Sequence, residues 1–150
     1  MTHSNTARAR WMSVLARAPA DEVIACKTAW TPTPAYTLLR GPEPGLVMTQ
    51  ARMGGTGDAF NLGEMTVTRC SLRLEDGTIG QAYVAGRSKD HALAAALFDA
   101  IMQGPCAKRV EDRVIGPLEA MLVARRNREA RQAAATRVSF VTMPRDAAPR

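Results

Sequence analysis

The segment Glu75-Asp76-Gly77-Thr78 lies between Leu74 and Ile79, and an Asp-Gly step between two apolar runs is a strong signal for a tight hairpin turn. The run before it, residues 64–74, alternates. Thr66, Thr68, Cys70, Leu72 and Leu74 point to one side, and Val67, Arg69, Ser71 and Arg73 point to the other. That pattern predicts an antiparallel sheet covered on one face, with Arg69 and Arg73 outward or toward a partner. Residues 36–40 and 46–52 read as two further strands. Residues 137–143, with Val138, Phe140 and Val141, read as a last strand returning to the sheet.

Helical spacing appears on both sides of this block. Trp11, Val14, Leu15 and Ala18 mark a first helix over residues 6–18, and a second follows Pro19 over residues 21–29. The X-Pro steps in residues 30–34 break it and connect to the first strand. Ser88 is an N-cap candidate for a helix reaching Met102, whose Leu93, Ala96, Leu97, Ala100 and Ile101 form one apolar stripe ended by Gly104-Pro105. Residues 108–135 are helical again, with a stop and restart expected at Gly116-Pro117. The expected fold class is α+β: a mostly antiparallel sheet of about four or five strands, helices packed on one side, and a basic C-terminal helical region. At 150 residues the chain is expected to be a single domain, with mobile termini at residues 1–5 and 144–150.

Composition narrows the function classes. Aromatic residues are only 5% of the chain, so the core is expected to be thin, Met-rich and in need of partner surface. The formal charge is +6, and all but three of the twenty cations are Arg, which suits an acidic partner or a polyphosphate. Cys26, Cys70 and Cys106 are far apart and lack zinc, disulfide or cluster spacing, which points to a reducing cytoplasm and to no metal in this chain. No export signal is visible. The most apolar stretch, residues 92–102, contains Asp99 and is too short for a bilayer of about 30 Å, so no membrane association is expected.

The most specific local feature is Arg52-Met53-Gly54-Gly55-Thr56-Gly57. Its glycines could present successive N–H groups to phosphate, with Arg52 adding a charged contact, or simply let a strand connection turn. It lacks the Lys of a nucleotide-hydrolase loop and opens into no helix. His91, beside Asp90 and near Arg87, could be a general acid or base, or a histidine bonded locally at a helix end. Asp58 and Glu64 flank the glycine loop without forming a recognisable pair. No nucleophile, base and orienting group can be named together, so no catalytic residue is assigned. Arg125, Arg126, Arg128 and Arg131 could bind nucleic-acid phosphates, which gives an alternative reading as a small basic nucleic-acid-binding module, or they could form a solvated or partner-facing helix surface. Met48, Met53, Met65, Met102 and Met121 suit core filling or an adaptable interface.

Several of these segments together resemble one family. Residues 10–16 (RWMSVLA), 50–57 (QARMGGTG), 74–78 (LEDGT) and 137–143 (RVSFVTM), with Gly86-Arg87 and His91-Ala92, resemble the G subunit of the bacterial carbon-phosphorus lyase core complex, the PhnG family, across nearly the whole chain. The resemblance implies a cytoplasmic subunit of an assembly with I, H and J subunits, most intimately with I. That assembly uses phosphonates as a phosphorus source. It joins methylphosphonate to the ribose of ATP, releasing adenine and giving ribose 1-methylphosphonate 5-triphosphate. The resemblance attributes the nucleosidase step to the I subunit and carbon-phosphorus cleavage to the J subunit, with its iron-sulfur cluster and S-adenosylmethionine. It leaves the G subunit an accessory or structural role with no cofactor of its own. Arg52, Gly54, Gly55, Thr56, Gly57, Arg87 and His91 then stand as candidates for phosphate binding or for a partner interface.

Overall fold

In the computed structural model, which describes residues 5–137, the Asp-Gly turn joins β2 (Ala59–Leu74) to β3 (Ile79–Ala85). Gly77 has φ 88°, and the Asp76 carboxylate accepts from the Thr78 amide at 2.9 Å. Those hydrogen bonds hold the Asp76 carboxyl below its ordinary range. β2 also pairs antiparallel with β1 (Tyr36–Arg52), giving a three-stranded sheet in the order β1-β2-β3.

The sheet has fewer strands than expected. Residues 36–40 and 46–52 are one continuous strand, because Pro42 and Pro44 sit in an edge strand, where the missing amide bonds are tolerated, and register shifts on either side of Arg40 absorb the irregularity. β2 starts at Ala59, five residues before the expected start. The strand expected over residues 137–143 and the termini expected to be mobile fall, apart from Asn5 and Arg137, outside the described residues.

The alternation in β2 is realised: Thr68, Cys70 and Leu72 are buried, while Arg73 is exposed. Ala82 and Val84 of β3 join them under the helical layer. The helix seated there is α3 (Lys89–Ile101), started by the Ser88 hydroxyl accepting from the His91 amide at 3.3 Å. Its surroundings are more enclosed than one stripe implies: ten of its residues are buried, including Ala92, Ala94 and Ala95 off the expected stripe. Alanine makes this possible, because small side chains let α3 lie close to the sheet. At Gly80 the approach is so tight that an added Cβ would collide with the Ala96 carbonyl and lie 2.8 Å from the Ala100 methyl.

α1 (Asn5–Arg17) and α2 (Ala20–Ala29) pack against α3, bringing Trp11, Leu15 and Val23 into the core. Trp30 follows α2, makes an edge contact with Phe98 at 5.7 Å between centroids, and lies beneath the Arg109 guanidinium at 4.5 Å. The expected break at Gly116-Pro117 does not occur. α4 (Ala107–Val110), a π-helical turn (Glu111–Ile115) and α5 (Gly116–Ala135) follow without leaving helical backbone, and proline is tolerated at the first turn of α5. The core departs from the Met-rich expectation: of the five methionines singled out, only Met102 is buried, and the other four are exposed.

Candidate functional site

Two separate places receive the candidate residues. The glycine motif is the tip of the β1–β2 ribbon, a short helical turn (Met53–Gly55) with Gly54 at φ 59° and Gly55 at φ 83°. Both values lie where glycine is favoured, which explains the two consecutive glycines. The Gly57 amide donates to the Met53 carbonyl at 2.8 Å, and Arg52 Nη1 donates to the Gly57 carbonyl at 3.2 Å. The guanidinium therefore closes its own loop. Thr56 and Asp58 are exposed beside it, and Glu64 is exposed along β2.

Arg87 and His91 lie elsewhere, at the start of α3. β3 leaves the sheet at the Gly86 amide, which donates to the Thr66 carbonyl at 2.9 Å. From Thr66 to Ala59 the ribbon runs outward for about 23 Å at roughly 3.3 Å per residue. The tip loop and the start of α3 therefore do not converge. Arg87 is exposed, while His91 is buried and its Nε2 donates to the Leu15 carbonyl at 2.8 Å. That bond reaches 76 residues back along the chain and ties α3 to α1, instead of the local helix-end bond weighed from the sequence.

Beside His91 an open cleft of about 700 Å³ separates the α1–α2 turn from α5, lined by Arg17, Glu119, Arg125, Arg126 and Glu129 among others. Its charges are largely matched. Arg125 pairs with Glu129 at 2.8 Å, and Glu119 pairs with Arg10, which also reaches Glu111 at 2.8 Å. Arg10 holds the Glu119 carboxyl below its ordinary range, and the two carboxylates push the Arg10 guanidinium upward. Arg125, Arg126, Arg128 and Arg131 are all exposed on α5.

The most elaborate polar cluster was not among the sequence candidates. Asp99, fully buried in α3, accepts from Arg8 Nε at 3.2 Å and Trp11 Nε1 at 2.9 Å on one oxygen, and from Arg8 Nη2 at 2.8 Å and the Gln81 amide at 2.9 Å on the other. Its partners come from α1 and β3, so the carboxylate joins three elements. It also occupies an outward amide of β3, and Arg8 and Gln103 donate to the Ile79 carbonyl on that strand. Every lone pair direction is used, which makes Asp99 a structural junction with no vacancy for a substrate. The only sequence signal was one acid inside an apolar run.

Burial pushes the Cys70 and Cys26 thiols above their ordinary value. Among the described residues no group of three or more His, Cys, Asp or Glu side chains is placed to hold a metal ion. No described helix is long and apolar enough to cross a membrane.

Comparison with known proteins agrees with the resemblance. Residues 6–146 match the family described as phosphonate metabolism protein PhnG. A relative from Rhizobium meliloti (strain 1021), alpha-D-ribose 1-methylphosphonate 5-triphosphate synthase subunit PhnG, is 41% identical over 138 residues, covering 92% of this chain and 88% of the relative. The chain belongs to the PhnG family of phosphonate metabolism proteins.

Proposed function

We propose that this chain is an accessory, non-catalytic subunit of a cytoplasmic multi-subunit enzyme that transfers methylphosphonate onto the ribose of ATP with release of adenine. The observation that carries this is the 41% identity, over 92% of the chain, to a relative named as a subunit of ribose 1-methylphosphonate 5-triphosphate synthase. The site geometry supports the accessory role. The buried titratable groups of the described residues, Asp99 and His91, are engaged in tying helices to the sheet and to one another, and the arginines lining the cleft face carboxylates of the same chain.

The partners in this proposal are the I, H and J subunits of the carbon-phosphorus lyase core complex, with the I subunit the nearest neighbour. ATP is the substrate of the complex, and the iron-sulfur cluster and S-adenosylmethionine belong to the J subunit. Of the two roles open to the tip loop, partner contact is the better supported, because Arg52 already donates to Gly57 within its own loop.

Reconstitution tests the assignment. The purified chain with ATP and methylphosphonate should release no adenine, and adding it to a complex assembled without it should restore release. Adenine release by the chain alone, or full activity of the complex lacking it, would refute the proposal.

A further inference from the structure

The β1–β2 ribbon beyond β3 is unusual for a protein surface. β3 covers β2 only from Val67 to Arg73, whereas β1 stays paired with β2 out to Arg52 and Ala59. Residues 46–52 and 59–66 are therefore a two-stranded arm, and such a ribbon is marginal by itself. Its register places Val47 opposite Met65 and Ala51 opposite Phe60 on one face, with Leu46 and Met48 on the other. Leu46, Met48, Met53, Phe60, Leu62 and Met65 are between 41% and 74% exposed. Taking roughly 150 to 250 Å² per large side chain, about half of it open, the six expose on the order of 700 Å². A patch of that size marks an interaction surface.

Three features select the occupant. The first is backbone: β2 from residue 59 to 65 has no neighbour on the side where β3 has ended, and a strand edge can always pair antiparallel with its own copy about a two-fold axis. The second is charge. The chain carries +6, yet residues 46–66 hold only Arg52, Asp58 and Glu64, so the arm is where two copies can meet without repulsion between arginines. The third is area: about 700 Å² from each arm, doubled by two-fold symmetry, reaches the range of a standard specific interface at roughly 1,200 to 2,000 Å².

The geometry points to a second copy of this chain as the occupant: two arms pair along their β2 edges, and Phe60, Leu62 and Met65 of each pack against the other. Two-fold pairing closes the assembly at a dimer. This goes beyond the accessory-subunit assignment and does not require it.

Light scattering after gel filtration of the full chain, at tens of micromolar and at both low and 1 M salt, tests the pairing. The expected mass is twice 16.2 kDa at both salts, because the contact is apolar and backbone-mediated. The double variant Phe60→Asp, Leu62→Arg should run at 16.2 kDa with an unchanged far-ultraviolet spectrum, since both positions are exposed on the arm. A monomeric wild type, a dimer that survives the double substitution, or a ladder of larger species would overturn the proposal. A monomer whose arm substitutions block only the joining of a different subunit would overturn it too, and would leave the accessory role standing.

Discussion

Replacing Asp99 by Asn changes one atom in the core and removes the negative charge on which Arg8, Trp11 and Gln81 converge. The two carboxylate oxygens accept two hydrogen bonds each. An amide has one oxygen, so in either orientation its NH₂ faces two donors. One arrangement leaves the Trp11 indole N–H and Arg8 Nε unmatched, and the other leaves the Gln81 amide and Arg8 Nη2. Stranding a buried donor costs about 1 to 3 kcal/mol, and losing a charge-assisted bond adds a comparable amount before correction. Arg8 is 34% exposed and can turn toward water, so its share is discounted, leaving about 3 kcal/mol in total. That is a large part of a stability of roughly 5 to 15 kcal/mol, and corresponds to a fall in Tm of about 10 °C for a chain of this length. Urea unfolding followed by tryptophan fluorescence reads the change, because Trp11 and Trp30 are both buried. Asp90→Asn, on an exposed acid of the same helix, is the control. A loss below about 1 kcal/mol for Asp99→Asn would refute the junction role.

Other predictions follow from the packing and charges. Gly80→Ala should force α3 off the sheet and cost about 3 kcal/mol in a thermal melt, while Gly41→Ala, whose added methyl meets nothing within 4 Å, should stay near wild type. Equal stability of the two variants would mean that α3 does not approach β3 so closely. Glu119→Gln should lower Tm by no more than about 2 °C at pH 7, because both members of its pair with Arg10 are over one-third exposed and screened. The Glu119 carboxyl is depressed in the folded state, so its stabilisation is present above the ordinary value near 4.5 and lost as pH falls through the lower folded value. A gap between the two proteins that widens in acid would contradict the pairing. The Cys70 thiol, buried and donating to the Arg40 carbonyl at 3.6 Å, should resist a thiol reagent until the protein unfolds, whereas exposed Cys106 should react at once. Arg52→Ala should leave the affinity of the assembled complex for ATP unchanged, and a weakened affinity would move the loop from an interface to the polyphosphate.

The legible parts of the fold were those set by neighbours in sequence. The Asp76-Gly77 turn, the Ser88 cap and the alternation through Cys70 and Leu72 are each decided within a few residues, and all three are present. The length of β1 was misread because Pro42 and Pro44 break most strands, and their tolerance depends on an edge position that only the assembled sheet defines. That error hid the arm and placed the glycine loop beside the sheet instead of at the end of a ribbon. The turn chemistry of Gly54 and Gly55 was still readable from composition. Asp99 and His91 were beyond sequence reasoning for another reason. Their partners lie 91 and 76 residues away, on an α1 whose own periodicity says nothing about which acceptor or donor it will meet.

The most direct test of the subunit role is native mass spectrometry of this chain, isolated from its host after phosphate starvation with methylphosphonate supplied. The expected result is a complex of fixed stoichiometry that contains larger companion subunits and releases adenine from ATP and methylphosphonate. Recovery of this chain alone, or bound only to nucleic acid, while adenine release fractionates elsewhere, would contradict it.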